Sequence, residues 1–166
     1  MSMPSWEVHE KYAKLMGIPI EIAKEINKLI DDLRWHDFFD SAVTERISTP
    51  DLRVLRELLG SPSGRIIVYN FDSALFYTPT WEPFRQRIEA YGNDGLKAFF
   101  LHMSLDLIER NERGRGFAAI EINDISGFYR EYIDEVEKFL QDRIDEVLAD
   151  IREDIRRRKE HKYSRL

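Results

Sequence analysis

The chain has 166 residues, of which 43 % are hydrophobic and 34 % charged, and its formal net charge is −6. This length suits one domain with its own core, and the acidic balance disfavours a free-standing nucleic-acid-binding protein. The absence of cysteine excludes disulfides, zinc–thiolate sites, iron–sulfur clusters and thiol nucleophiles. No hydrophobic run approaches the ~20 residues that span a bilayer, and no cleavable signal is present, so we expect a cytoplasmic protein without a membrane partner. Abundant Glu, Arg, Lys and Ile with little Gln give a thermophile-like composition.

Helix signals dominate the first sixty residues. Ser5 can cap a helix over residues 6–16 that a glycine ends, and Pro19 fits the first turn of a second helix. Apolar residues of that second helix recur at spacings of three and four, which predicts one apolar face: Ile22, Ala23, Ile26, Leu29, Ile30 and Leu33. We predict one or two short helices over residues 35–47 and another helix over residues 51–59.

The middle of the chain mixes strand and helix signals. Residues 66–71 and 117–122 are rich in β-branched and aromatic residues, which predicts two short strands. Helices over residues 81–91 and 96–111 are predicted between them. The second of these helices is apolar nearly all round, which is typical of a helix at the centre of a core. We therefore expect burial of three of its residues, namely Phe99, Met103 and Leu107.

The last forty residues predict one long helix. No proline occurs after residue 125 and no glycine after Gly127, so a helix continuing to residue 159 would be about 50 Å long. The rest of the chain is too small to cover the end of its apolar stripe, formed by Val147, Ile151 and Ile155. Because an apolar stripe is rarely left exposed, we expect these residues to form an interface in a homo-oligomer.

Together these patterns predict a mainly α fold. We expect a single-domain helical bundle with a minor two-stranded β element and a long C-terminal helix. Residues 1–124 would form the helical body with its two short strands. Residues 125–166 would form the long helix, which belongs to the same domain and can serve as an assembly element.

Three of the four histidines are followed by a carboxylate within about one helical turn. The pairs are His9 with Glu10, His36 with Asp37, and His102 with Asp106 one helical turn later. Imidazole beside carboxylate is suited to proton transfer near neutral pH and to binding a divalent metal. In a chain without cysteine, such ligands suit Mn, Fe, Ni, Co, Mg or Zn ions.

The order of these residues resembles the HD-domain metal-dependent phosphohydrolases. His9 matches the first ligand of that family, His36 and Asp37 match its doublet, and Asp106 matches its last carboxylate; the resemblance covers residues 6–109. It implies an all-helical fold in which these residues, with His102 as an added ligand, hold one or two divalent metals. Those metals would activate water for attack on a phosphate ester.

Each candidate also has a plainer structural interpretation. His9 can be an exposed residue near a terminus, Asp37 can cap a helix that follows His36, and His102 can be a core histidine held by Asp106. The two arginines of a glycine-containing turn, Arg113 and Arg115, can contact a phosphate or an acidic partner, or can simply be solvated.

Two functional classes therefore stay open, and the sequence does not decide whether the protein is an enzyme. The long helix favours a non-catalytic assembly or adaptor protein that self-associates. The alternative is a divalent-metal-dependent phosphohydrolase acting on a small-molecule phosphate ester, with the His/Asp residues as metal ligands.

Overall fold

A computed structural model of the chain describes residues 4–31, 43–47, 65–70, 81–114, 119–123 and 129–164. This part of the chain is mainly helical, which confirms the predicted fold class. Its helices are α1 (Trp6–Leu15), α2 (Ile20–Ile30), α3 (Trp81–Glu89), α4 (Gly92–Gly114), α5 (Arg130–Gln141) and α6 (Ile144–Tyr163). None of these helices combines the length and the apolar character needed to cross a bilayer.

Helices α1 and α2 form a short hairpin. Ser5 is the N-cap residue of α1 with an extended backbone, and the first turn is closed by the bond from the Val8 N–H to the Ser5 carbonyl. Gly17 follows α1 with φ +81°, a conformation that favours glycine and lets the chain reverse. The predicted start of α1 and its glycine turn are therefore confirmed, whereas the Ser5 hydroxyl makes no capping hydrogen bond.

Helix α4 is the centre of the core. It contacts α1, α2, α3, α5 and α6, and Phe99, Met103 and Leu107 are all buried, as its nearly uniform apolar character predicts. Gly95 allows α3 to approach it closely, because a Cβ atom there would collide with the backbone carbonyl of Ile88. The helix is therefore enclosed on most of its surface.

Within the described segments, a three-stranded sheet is found where we predicted a two-stranded element. They are β1 (Val43–Ile47), β2 (Arg65–Asn70) and β3 (Ala119–Asn123), in the order β1-β2-β3. Strand β2 pairs antiparallel with β1 and parallel with β3. Two strands overlap the segments that the sequence favours as extended, whereas β1 lies where we predicted short helices. The helix predicted over residues 51–59 lies outside the described residues.

The prediction of a single long C-terminal helix is wrong, because the helical conformation is interrupted between α5 and α6. The N–H of Arg143 donates to the carbonyl of Leu140, three residues back, and Arg143 leaves the helical conformation with φ −125°. Its guanidinium lies 4.5 Å from the centre of the Phe139 ring. This break redirects the chain so that α5 and α6 both pack on α4.

The expected oligomer interface is also corrected. Val147 and Ile151 are 0 % exposed, and Ile155 is partly buried against the same core. The stripe predicted to face a second chain is therefore covered within this chain, by α1 and α4. Because the break turns α6 back against the helical body, the body covers the start of this stripe, Val147 and Ile151.

Candidate metal centre

Two histidines and an aspartate meet between α1 and α4. His9 lies on α1, and His102 and Asp106 lie one turn apart on α4. One ligand atom from each of the three lies within 4.8 Å of the others. Both imidazoles are buried, with 2 % of His9 and 1 % of His102 exposed. The predicted convergence of these three residues is therefore observed.

The Asp106 carboxylate bridges the two rings. Its Oδ1 lies 3.0 Å from Nε2 of His9, and its Oδ2 lies 3.2 Å from Nε2 of His102. Donor atoms that share one ion at bond lengths of ~2.0–2.2 Å must lie about 3 Å apart, so these separations suit neighbouring ligands. The His9 contact also meets hydrogen-bond geometry, whereas the His102 contact does not.

The second nitrogen of each ring already has an acceptor. Nδ1 of His9 donates to the Ser5 carbonyl at 3.2 Å, and Nδ1 of His102 donates to Oδ1 of Asn27 at 2.8 Å. A bond of this kind fixes the tautomer and orients Nε2, and metal-ligating histidines commonly have one. Both Nε2 atoms are therefore aimed at the carboxylate as a pair of oriented ligands.

A positive charge, carried by a ring proton or by a bound cation, suits the centre of the cluster. The two imidazole rings are stacked with centroids 4.0 Å apart and planes 13° from parallel. For every contact to be a hydrogen bond, both rings would need two protons each, and two stacked cations repel at this distance. A divalent cation among the Nε2 atoms and the carboxylate oxygens meets the same contacts with neutral rings.

Asp31, the residue that ends α2, completes the surroundings. Its Oδ1 lies 3.5 Å from Nε2 of His102, and its Oδ2 accepts a hydrogen bond from the Trp6 indole at 2.6 Å. The Asp31 and Asp106 side chains are 18 % and 17 % exposed, whereas the imidazoles are almost fully buried. The carboxylate side of the cluster is therefore the side that reaches solvent.

The pKa values show how strongly the cluster favours a cation. Burial lowers the pKa of His102, but the Asp106 and Asp31 carboxylates outweigh it and raise that pKa to about 9. Burial raises the pKa of Asp106, but His102 and His9 bring it well below the usual range. The pKa of Asp31 is also lowered, because His102 and Trp6 outweigh its burial. Both carboxylates therefore stay charged at neutral pH.

The other predicted site residues fare differently. His36 and Asp37 lie outside the described residues, so their membership of the site stays a prediction. His9 is buried, and its interpretation as an exposed terminal residue is wrong. Arg113 donates to the Glu109 carboxylate at 2.6 Å, and Arg115 lies outside the described residues. Arg113 therefore has a structural partner where we predicted a phosphate contact.

Sequence reasoning missed the contribution of α2. Asn27 and Asp31 lie four residues apart on the side of α2 that faces α4, and Asn27 is only 3 % exposed. The available signal was Asn27 itself, an amide within the apolar repeat of that helix, which indicates a buried polar partner. Trp6 offered no comparable signal, because its role depends on the position of Asp31.

A second set of polar contacts, which we call the α6 seam, joins α6 to α1 and α4. It consists of Ser5, Lys11, Tyr12, Glu109, Asp150, Asp154 and Arg158. The Arg158 guanidinium donates to Glu109 and pairs with Asp154, both at 2.7 Å, and Asp154 accepts the Ser5 N–H at 3.0 Å. A cleft of about 150 Å³ lies beside the seam and does not include the His/Asp residues.

Compared with protein-family models, curated proteins and solved structures, the chain finds no match. The resemblance to HD-domain phosphohydrolases therefore stays a prediction that rests on the residues named above.

Proposed function

We propose that this protein is a divalent-metal-dependent hydrolase of phosphate esters, with the metal held by His9, His102 and Asp106. The supporting observation is the convergence of three ligand atoms from residues up to 97 positions apart in sequence. Two buried imidazoles with oriented Nε2 atoms and a carboxylate form a donor set that suits first-row divalent ions.

Each residue has a distinct part in this proposal. With a metal ion in place of the ring protons, His9 and His102 would supply nitrogen ligands on the buried side, and Asp106 would supply negative charge on the side that reaches solvent. A divalent ion bound here would act as a Lewis acid towards a phosphate oxygen and would make water acidic enough to attack near neutral pH. A substrate would approach from the partly exposed carboxylate side.

The choice of a phosphate ester rests on the order of the ligands. His9 and Asp106 occupy the positions that resemble the first and last ligands of HD-domain phosphohydrolases, on two helices that contact each other. The assembly function is not carried forward, because Val147 and Ile151 on its expected interface are buried within the chain. Whether the protein self-associates is a separate question for sedimentation.

The first test measures metal content. Protein purified without an affinity tag or resin should contain about one transition-metal ion per chain, measured by mass spectrometry of the metal. Asp106→Asn and His102→Gln should lose that ion, because each removes a ligand. The matched controls are Asp142→Asn and His161→Gln, since both residues are exposed and lie outside the cluster.

The second test measures hydrolysis of a chromogenic phosphate monoester and diester with Mn²⁺, Co²⁺, Zn²⁺ or Mg²⁺. We expect activity in the parent and both controls, and a loss of at least about 100-fold in Asp106→Asn. Protein that binds none of these ions at millimolar concentration would overturn the proposal. Protein that binds metal but hydrolyses neither ester would overturn the reaction and leave the metal site.

A further inference from the structure

Asp31 lies at a point where it can reach the same cation as the three ligands above. It is the C-cap residue of α2, and its side chain extends towards α4. The Asp31 Oδ1 atom is 3.5 Å from Nε2 of His102, which itself lies 3.2 Å from Asp106. The two carboxylates therefore approach the same ring nitrogen, although they come from different helices.

The two atoms that face each other here have no hydrogen-bond partner. Both Oδ1 of Asp31 and Nε2 of His102 are buried, and their alignment with neighbouring groups does not meet hydrogen-bond geometry. Buried polar atoms are rarely left without a partner, because the lost hydration costs about 1–3 kcal/mol each. A shared cation would satisfy both atoms, and two carboxylates beside two imidazoles supply enough negative charge to hold it.

The other Asp31 oxygen is held in place. Its Oδ2 accepts the Trp6 indole N–H at 2.6 Å, so the carboxylate presents Oδ1 to the cluster. Carboxylate ligands are commonly oriented by a second hydrogen bond of this kind. Trp6 is 42 % exposed, so burial of its ring does not account for its position over Asp31.

We infer that Asp31 is a fourth protein ligand of the proposed metal and that Trp6 is its positioning residue. This inference rests on the metal site proposed above and extends it to a His₂Asp₂ donor set. Two nitrogen ligands favour first-row transition ions over Mg²⁺ and Ca²⁺, which prefer oxygen ligands alone. Asp31 belongs to none of the positions that carry the HD-domain resemblance.

The experiment titrates metal-free protein with Co²⁺, followed by calorimetry and by the visible absorption of the bound ion, which changes with the number of ligands. Asp31→Asn should weaken Co²⁺ binding by at least about tenfold and alter the absorption spectrum. Trp6→Phe should weaken binding by less and leave the spectrum as in the parent, because all ligands remain. Asp142→Asn is the control and should match the parent.

These outcomes distinguish a failure of the Asp31 inference from a failure of the proposed metal site. If the parent binds Co²⁺ and Asp31→Asn binds it with the same affinity and spectrum, Asp31 is not a ligand, and the three-residue site stands. If neither the parent nor Asp142→Asn binds Co²⁺, the metal site itself is overturned.

A folding defect in Asp31→Asn would be detected by circular dichroism and is covered by a second variant. Asp31→Glu keeps a carboxylate at this position and should recover part of the lost affinity. If Asp31→Glu folds but binds Co²⁺ no better than a folded Asp106→Asn variant, the requirement for a carboxylate at residue 31 is not supported and the inference fails.

Discussion

The two polar clusters on α4 differ in the charges that they contain. In the His/Asp cluster, formed by His9, Asp31, His102 and Asp106, the atoms that face one another are carboxylate oxygens and imidazole nitrogens. In the α6 seam, the buried Glu109 carboxylate receives the guanidinium groups of Arg113 and Arg158. Glu109 follows Asp106 by three residues, so adjacent turns of one helix serve both clusters.

The difference shows which cluster can exchange its positive charge with solution. The α6 seam has its cations built in, because the arginines pair with Glu109 and Asp154. The His/Asp cluster instead sets its carboxylates against imidazole rings, and those carboxylates lie at its solvent side. The cation of the His/Asp cluster is a titratable imidazole, whose proton a metal ion can replace, whereas the permanent guanidinium charges of the seam are suited to hold helices together.

The largest expected effect is the loss of the buried seam carboxylate. Glu109→Gln leaves two guanidinium groups without their shared anion, so we expect the free energy of unfolding to fall by about 3 kcal/mol. Chemical denaturation should show the same decrease with and without a chelator, because no metal is involved. The control Glu131→Gln changes an exposed residue and should stay within about 0.5 kcal/mol of the parent. A decrease seen only with metal would contradict the proposed division between the clusters.

The second expected effect depends on metal. At a Co²⁺ concentration about 100 times the dissociation constant, binding to the folded state alone should stabilise the parent by about 2.7 kcal/mol. Asp106→Asn should lose this increment, since it removes the bridging ligand. Glu109→Gln should retain it, although its baseline is lower. Equal metal stabilisation of the parent and Asp106→Asn would place the metal elsewhere.

The smallest expected effect is a response of the seam to acid. Burial raises the pKa of Asp150, but the hydrogen bonds from Lys11 and Tyr12 outweigh it and lower that pKa below its usual value. The stabilisation from Asp150 is therefore present above the unfolded-state pKa of ~3.9 and is lost as the pH falls through the folded-state value. In thermal melts, Asp150→Asn should have a lower melting temperature than the parent at pH 6, and the difference should be smaller at pH 3. A constant difference across that range would mean that the charge of Asp150 is unimportant.

Local signals were sufficient to predict much of the helical framework. Ser5 and Gly17 mark the ends of α1, because the residue types preferred at helix ends depend mainly on local backbone conformation. The apolar surface of α4 indicated its central position for the same reason. The break at Asp142 and Arg143 could not be foreseen, because neither residue is a helix breaker and the bend follows from packing against α4.

The candidate site was only partly predictable for a similar reason. His102 and Asp106 are a helical turn apart, so their proximity follows from helix geometry. Their meeting with His9 was an expectation from family resemblance, and the packing of α1 against α4 brings it about. Asp31 was missed because its significance depends on residues more than 70 positions away on α4.

The backbone of Ser5 links the His9 ring to a helix that is synthesised much later. Its carbonyl orients the His9 ring, while its N–H donates to Asp154, 149 residues later in the chain. During synthesis, His9 leaves the ribosome long before the helix that holds this peptide in place. In the proposed metal site, His9 would be fully oriented only after residue 154 has been added, so we expect a chain that lacks α6 to bind the ion more weakly than the full chain.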